Sequence, residues 1–350
     1  MTIPLGCKSH SYTITDREGR VISSGGLLTE VEYNRVLNDS SSASVTIGVS
    51  DAECCNQLGG VRSWRHRLNI YRGVSLMWSG FVLNPRWDVE SMTVQAVDLV
   101  GLLDRRVPHQ DFNFTGTDLT AIAQLLIEDA FFPDDPGHEI VVIGPSGVTG
   151  GRAYPQNIGQ TADHLRDLAD TGIDFTAVGN TIVIMPDDFC EVVGRLTDTD
   201  LPDGLSVTED GSNLVTRQIV AGSDESGVVG EAGGTNDYYG LLELYSEQTS
   251  ITTTAAAQEA AVAKLASSAI VPVHIDTQSL TLSPDAAIDA ASLVPGWCVD
   301  ITTTATCRDV SQRLKITGLQ VTESGGSDAT PGQEQITLQV TATGDTLAVT

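Results

Sequence analysis

Short runs of alternating apolar and polar residues fill roughly the first hundred positions of the chain. The clearest alternating sets are Tyr12/Ile14, Val31/Tyr33, Val45/Ile47/Val49, Leu68/Ile70 and Met92/Val94/Ala96. Gly, Asn and Asp separate these sets, which is typical of half-buried antiparallel strands joined by turns. Residues 67–72 and 76–82, on either side of Gly73, predict a β-hairpin. This density of strands predicts a small antiparallel β-barrel over residues 1–104.

After residue 104 the apolar residues change to helical spacing. The spacing predicts a helix that is capped by Thr117 or Asp118 and ends near Phe131, before Pro133. A strand, a second helix and a hairpin around a Gly-Asn turn follow at residues 139–143, 161–171 and 174–185, and Thr161 is the predicted cap of the second helix. We therefore expect a small α+β domain over residues 105–186, inserted between β-rich regions.

The remaining chain, residues 187–350, predicts a second β-barrel domain. It starts with an acidic, Gly-rich segment over residues 187–237 and contains an Ala-rich helix over residues 255–268. Strand-like alternation returns from residue 270.

Two meanders, one near each end of the chain, have similar sequences. Residues 76–83 and 92–98 form the first, and residues 314–321 and 335–342 form the second. Each contains a Ser/Thr-Gly step between two strand-like runs and a later strand centred on Gln. Upstream, residues 297–301 align with residues 66–70. The similarity indicates either an internal duplication or the general likeness of any two antiparallel meanders.

Length and charge restrict the function classes. The chain has 350 residues, which predicts two or three domains, and its 19 basic and 46 acidic residues give a net charge of −27. A free-standing nucleic-acid-binding protein or a protein of anionic membrane surfaces needs a basic surface, so both classes are disfavoured. No stretch approaches the ~20 apolar residues of a membrane helix, and residues 1–7 lack the pattern of a signal peptide.

The six cysteines do not form a disulfide scaffold or a Cys-x-x-Cys pair. They are Cys7, Cys54, Cys55, Cys190, Cys298 and Cys307. We interpret them as mostly reduced thiols of a protein made in a cytoplasm. Cys298 and Cys307 flank a predicted hairpin and are the pair that an oxidant would join.

Signatures of catalysis are missing from the sequence. The Gly-rich run Gly144–Arg152 lacks the Gly-Lys-Ser/Thr of a phosphate-binding loop, so a flexible loop is expected there. No Gly-x-Ser-x-Gly elbow is present. The six histidines lack metal-pair spacing; they are His10, His66, His109, His138, His164 and His274. We therefore predict no catalytic, cofactor-binding or metal-binding residues, and a solvated His164.

An acidic segment partly resembles a calcium loop. Asp198 and Asp200 start it and Glu209 stands at position twelve, but the third carboxylate and the glycine come one residue late. Pro202 occupies a ligand position, so an acidic turn is favoured over a cation site.

One basic cluster stands out in this acidic chain. Its members are Arg62, Arg65, His66, Arg67 and Arg72, with Trp64 among them. It indicates either contact with a nucleic acid or another anion, or salt bridges between subunits, and the second interpretation is favoured.

The order and spacing of five segments resemble the tail-hub, or baseplate-hub, proteins of tailed bacteriophages, which are also called minor tail proteins. The segments are Trp78–Val82, Val94–Leu99 with Leu102–Arg106, Ile122–Ala130, Leu165–Asp174 with Phe175–Met185, and Leu293–Ile301. They cover most of the chain but are short and hydrophobic, and no invariant residue carries the match.

The resemblance implies a fold of two small β-barrels joined by an α+β insert, and a homotrimer. Six barrels would then form a ring that joins the six-fold tail tube to the three-fold tip and encloses the DNA passage. Expected partners are distal-tail or tail-tube proteins, the tape measure protein, and spike or fibre proteins. The family is structural, which implies no enzyme activity and no cofactor. The expected location is the virion tail tip, after synthesis in the host cytoplasm.

Part of the −27 charge would line the channel, because negative walls repel phosphates. The acidity is equally consistent with a role in solubility or with an acidic host proteome.

Three other functions are weighed from the sequence. A virion or cell-surface carbohydrate-binding module would expose Trp and Tyr beside carboxylates, whereas Trp78, Trp87 and Trp297 lie in or beside predicted strands. A cell-wall hydrolase has no signature here. Tail-tube or distal-tail ring proteins are usually shorter and lack the 105–186 insert.

Overall fold

The fold is described from a computed structural model of the chain. The described residues are 9–26, 28–209, 211–212, 214–222, 227–248, 251–268, 273–275, 279–324 and 333–347. The chain divides into two compact units. The first comprises Met1–Leu205, Thr277–Ala305 and Arg313–Thr343, and the second comprises Ser206–Asp276, Thr306–Gln312 and Gly344–Thr350.

The N-terminal part of the first unit consists of strands with one short helix, as the alternation predicts. The elements are β1 His10–Thr15, β2 Val21–Gly25, β3 Leu28–Val36, β4 Ser42–Gly48, α1 Ala52–Leu58, β5 Arg67–Arg72, β6 Ser75–Trp87 and β7 Ser91–Val97. The predicted hairpin is confirmed as the antiparallel pair β5–β6, in which Ile70 lies opposite Trp78.

The α+β region follows within the same unit. Its elements are α2 Leu99–Leu103, β8 Phe112–Asp118, α3 Leu119–Phe131, β9 Glu139–Val142, β10 Thr149–Tyr154, α4 Thr161–Ala169, β11 Ile173–Val178 and β12 Thr181–Pro186. The hairpin β11–β12 is confirmed, and β9 joins it in parallel. Apolar residues of α2, α3 and α4 pack with those of β11 and β12 into one buried core.

Two local predictions in this region were wrong. The Gly-rich run was expected to be a loop, but from Thr149 it is strand β10, paired antiparallel with β8. Burial alternates along β10 and ends on buried Tyr154. The sequence does not show this alternation because two of the positions are glycines. The cap of α4 is Gln160 and not Thr161, while α3 has the predicted cap Asp118, whose carboxylate accepts from Thr120 N at 2.9 Å.

The C-terminal part returns to strands. Its elements are β13 Val192–Thr197, β14 Val207–Glu209, β15 Arg217–Ala221, β16 Val229–Gly233, β17 Glu243–Glu247, α5 Thr254–Ser268, β18 Val273–Ile275, β19 Ser279–Leu282, β20 Cys298–Thr303, β21 Val310–Ser324 and β22 Gln333–Leu347. Helix α5 confirms the predicted Ala-rich helix.

Most strands belong to one mixed sheet of twelve. Its order is β13-β20-β21-β3-β4-β7-β6-β5-β1-β2, with β22 paired to β21 and to β19. The mainly β class predicted from the sequence is thereby confirmed. Among the described residues, these pairings join both meanders into a single sheet and do not close into two separate barrels.

The two meanders have the same strand order, β5-β6-β7 and β20-β21-β22. Each middle strand contains a glycine against which the third strand lies closely. A Cβ on Gly80 would stand 2.2 Å from the carbonyl oxygen of Val97, and one on Gly318 would stand 2.6 Å from the side chain of Gln339. The backbone contact requires glycine at position 80, whereas at position 318 the side chain of Gln339 could move aside.

Asp98 lies where the chain leaves β7 for α2. Its carboxylate accepts hydrogen bonds from Ser41 N at 2.9 Å and from Gly101 N at 3.0 Å. The residue is buried, and this burial raises the pKa of its carboxyl group to about 6.

In the second unit, a small sheet of order β16-β15-β17 packs against helix α5. The helix lies so close to β16 that a Cβ on Gly230 would stand 2.2 Å from the carbonyl carbon of Ala257. This contact between helix and strand explains the glycine at position 230 of the acidic, Gly-rich segment 187–237.

We expect the free energy of unfolding to fall as the pH rises from about 4 to about 6, because the folded state holds the Asp98 proton more tightly than the unfolded chain does. The full effect of this shift is about 3 kcal/mol. Urea unfolding of the native chain and of Asp98→Asn across this range tests it, since the variant should lose this part of the pH dependence. Asp88→Asn, on the exposed turn between β6 and β7, is the control. Parallel curves for all three proteins would contradict the assignment.

We expect Gly230→Ala to destabilise the second unit by about 1–3 kcal/mol, because the added methyl group must displace α5. Hydrogen exchange of the amides in β15, β16 and α5 measures this loss. Gly234→Ala is a matched control, since no atom lies within 4 Å of the position of its Cβ. Equal protection in the two variants would show that the helix tolerates the methyl group.

Candidate functional site

A cluster of charged side chains is buried between the first and last strands of the first unit. Arg72 donates through Nε and Nη2 to the two carboxylate oxygens of Glu334, both at 2.6 Å. His10 Nδ1 bonds Glu323, and His10 Nε2 lies 3.3 Å from the Tyr33 hydroxyl oxygen. Burial raises the pKa of the Tyr33 hydroxyl. The cluster ties β1, β3 and β5 to β21 and β22.

Arg35 is a buried cation without a carboxylate within salt-bridge distance among the described residues. Its Nη2 donates to the carbonyl oxygen of Met77, and its Nη1 donates to those of Ala291 and Leu293, both at 3.4 Å. The guanidinium is 1% exposed, and burial lowers its pKa. This side chain therefore joins β3 and β6 to the segment before β20 through backbone acceptors.

Two more buried cations join the sheet to the α+β region. Lys315 Nζ donates to Asp174 and, at 2.7 Å, to the carbonyl oxygen of Asp187. Arg67 donates to the Asn180 side chain and to the Pro136 carbonyl oxygen, and burial lowers its pKa to about 10. These contacts position the hairpin β11–β12 on the strands of the sheet.

In the structure, the predicted basic cluster separates into buried residues and exposed residues. Arg67, Arg72 and His66 are buried, so they do not contribute to a basic surface. Arg62 and Arg65 remain exposed beside half-buried Trp64. Arg105, from the end of α2, joins them because its guanidinium lies 5.6 Å from the Trp64 ring centre. Alternation with Leu68 and Ile70 places Arg72 on the inward face of β5. Arg67 has the parity of the half-buried Asn69 and Tyr71, so the alternation does not reveal its burial.

The cysteine prediction was wrong for Cys298. The structure pairs Cys190 with Cys298 in a disulfide with a Cα–Cα distance of 5.2 Å, because β13 pairs in parallel with β20. Cys54, Cys55 and Cys307 are free, and Cys7 lies outside the described residues. The spacing of the two bonded residues in the chain gives no local signal of their contact.

Carboxylates of the acidic segment at 198–204 accept hydrogen bonds from backbone amides and threonine hydroxyl groups. Asp198 accepts from Thr303 Oγ1 at 2.6 Å and from the amide of Thr304 at 2.7 Å. Asp200 closes a capping box with Thr197. The side chain of Glu209 lies outside the described residues. In the part of the chain that is described, no group of three His, Cys, Asp or Glu side chains is placed to hold a metal ion.

His164 is bonded and not merely solvated. Its Nε2 lies 3.0 Å from the carbonyl oxygen of Ile158, and its ring meets that of Tyr154 edge to face at 4.8 Å. Among the described side chains, which exclude that of His274, the histidines form no group that could hold a metal ion. None of the described helices is long and apolar enough to cross a bilayer.

The second unit exposes aromatic side chains. Tyr238 is 86% exposed and packs edge to face against Tyr239, with ring centres 4.8 Å apart. Both follow Asp237 in a turn before β17. Residues 223–226 of the same Gly-rich segment lie outside the described residues.

We expect Arg72→Met to destabilise the first unit by about 3–5 kcal/mol, because it leaves the buried carboxylate of Glu334 without its cation. The double variant Arg72→Met/Glu334→Met should recover most of this loss. Urea unfolding measures both. Arg86→Met, which breaks an exposed pair with Asp88, is the control and should change little. A double variant as unstable as the single one would show that the ion pair itself is required.

Comparisons with known proteins add a fold-level finding. No protein-family model matches the chain, and neither does any curated protein. Solved structures do match. The 43 kDa tail protein of prophage MuSo2 from Shewanella oneidensis is 12% identical with a TM-score of 0.55, over 95% of this chain and 98% of that chain.

Two further structures extend the match. A tail protein from Neisseria meningitidis MC58 is 13% identical with a TM-score of 0.52, over 95% of this chain and 96% of that chain. A chain of the half-lidded Francisella PdpA–VgrG complex is 9% identical with a TM-score of 0.52, over 97% of this chain and 59% of that chain. The resemblance predicted from the sequence is confirmed at the level of fold: this chain has the fold of prophage tail proteins.

Proposed function

We propose that the chain is a structural, non-catalytic component of a bacteriophage tail tip, the tail hub. Three copies form a ring that joins the six-fold tail tube to the three-fold tip or spike and encloses the DNA passage. The observation that carries this proposal is the repeated meander, β5-β6-β7 and β20-β21-β22, within a chain that has the fold of tail proteins along almost its whole length. Three copies of two similar modules supply the six positions that a six-fold tube requires.

Each region of the chain has its own role in the proposed ring. Residues 1–104 and 187–350 each supply one β-rich module built on a repeated meander, and residues 105–186 supply an insert that keeps three-fold symmetry. Helices α3 and α4 of the insert pack on β11 and β12 in a core that also includes Phe81 and α2 of the preceding region. The two β-rich modules contact distal-tail or tail-tube proteins and the tape measure protein. The insert contacts spike or fibre proteins. The chain then resides at the virion tail tip.

The proposed channel passes DNA without binding it. With a net charge of −27, the surface repels a polyanion unless a local basic patch faces it. Of the predicted basic cluster, Arg67 and Arg72 are buried, which leaves fewer cations for a phosphate backbone.

A second candidate function, a carbohydrate-binding module, is favoured by one observation. Tyr238 and Tyr239 are exposed directly after Asp237, and aromatic rings beside carboxylates are typical of sugar-binding surfaces. The two functions predict different assemblies.

Single-particle imaging of the purified chain at high concentration tests the hub. We expect end-on views with three-fold symmetry and six lobes around a hole. A compact closed oligomer without a hole would contradict the hub and favour the carbohydrate-binding module. Imaging in the presence of the cognate tail tube is the matched experiment if the chain requires the tube as a template.

A further inference from the structure

Most exposed arginines of the first unit lie against carboxylates. Arg17, Arg20, Arg86 and Arg195 all do so. Arg62, Arg65 and Arg105 differ: they are exposed, and within the described ranges no carboxylate lies at salt-bridge distance from any of them. In a chain with 46 acidic residues, three adjacent arginines without a carboxylate partner form a distinct positive surface. We call Arg62, Trp64, Arg65 and Arg105 the arginine–tryptophan surface.

The loop that carries this surface is held rigidly. Arg62 N donates to His66 Nδ1 at 2.9 Å, and Trp64 N donates to the carbonyl oxygen of Val82 at 2.7 Å. Trp64 adopts a φ of 60°, a left-handed conformation that is costly for a bulky residue. Such a conformation persists only where the surroundings enforce it, and it is concentrated at functional sites.

Two stacked rings between two cations fix the position of the tryptophan. The guanidinium of Arg105 lies over Trp64, the Trp64 ring stacks on Phe81 at 6.4 Å, and buried Arg67 lies 4.8 Å from the Phe81 ring centre. The stack places Arg105 at the surface with little freedom. Pre-organised cations bind carboxylates with a smaller loss of side-chain entropy than free ones.

The same unit carries a loop of opposite charge. Asp187, Asp188 and Glu191 are exposed, and among the described residues none of their carboxylates has a cation at salt-bridge distance. The backbone of this loop is also held, because the carbonyl oxygen of Asp187 accepts from Lys315 and that of Glu191 accepts from Cys298 N. We call these three residues the acidic loop.

We propose that the arginine–tryptophan surface binds a second copy of this chain through that copy's acidic loop. The inference rests on the proposed homotrimer and assigns one of its contacts. The two surfaces lie on different parts of each copy, so the contact is heterologous, the type of contact that closes rings. A second copy is favoured as the occupant because its acidic loop brings three exposed carboxylates, one for each arginine of the surface.

Charge reversal tests the contact. Arg65→Glu/Arg105→Glu and Asp187→Arg/Asp188→Arg should each weaken self-association roughly 100-fold. The chain that carries all four changes should regain association, because each reversed surface meets its reversed partner on the next copy. Analytical ultracentrifugation at low salt measures this, where charge contacts are least screened. Arg86→Glu, an exposed arginine on another turn, is the matched control, and circular dichroism checks that each variant is folded.

The outcomes separate this inference from the proposed function. If the native chain forms trimers and Arg65→Glu/Arg105→Glu does so equally well, the contact is wrong and the hub stands. If the four-fold variant fails to regain association although it is folded, the pairing is wrong. Loss of binding to a labelled DNA duplex, with association unchanged, would assign the surface to nucleic acid. A native chain that stays monomeric at low salt at its highest soluble concentration, and that also forms no ring on the cognate tail tube, would overturn both proposals.

Discussion

The architecture of the first unit depends on one long-range contact, the antiparallel pairing of β3 with β21. Its register runs from Gly318 opposite Val36 to Ser324 opposite Glu30. Through this pairing the N-terminal strands and the C-terminal strands become a single sheet. Every buried charge that links the two ends of the chain needs this register. A shift by one residue would turn the inward side chains of β3 to the opposite face.

The buried charges indicate how that register is specified. The inward positions of β3 include Tyr33 and Arg35, which are almost completely buried. Arg35 finds its acceptors only where β6 and residues 291–293 come together, and Arg72 needs Glu334. Buried ionic groups contribute little net stability compared with apolar residues of the same volume, but an unpaired one is costly. They therefore penalise alternative pairings of a sheet whose many strands are similar in sequence.

Local structure could be predicted from the sequence, whereas long-range contacts could not. Helix α3 with its Asp118 cap, helix α5 and the hairpin β11–β12 follow from spacing and turn residues that are close in the chain. Strand β10 was missed because glycines obscure its alternation. The Cys190–Cys298 bond and the burial of Arg67 and Arg72 depend on strands that meet only in the folded chain. For the candidate surface, the sequence indicated Arg62, Trp64 and Arg65 but not Arg105, since nothing in the order of residues places the end of α2 beside that loop.

The charge distribution links the fold to assembly. Exposed and half-buried arginines are mostly neutralised locally, as where Arg166 meets Asp39, Asp104 and Asp163, so the excess of carboxylates dominates the surface. Copies of such a chain repel one another, and the repulsion grows as they approach. Self-association therefore requires a local region of positive charge whose side chains are already held in the conformation that binds. The loop of Trp64 meets both requirements, because its arginines have no carboxylate of their own chain within salt-bridge distance among the described residues and its backbone is held by hydrogen bonds. In the proposed ring, these cations supply an electrostatic attraction between subunits that the surrounding acidic surface opposes.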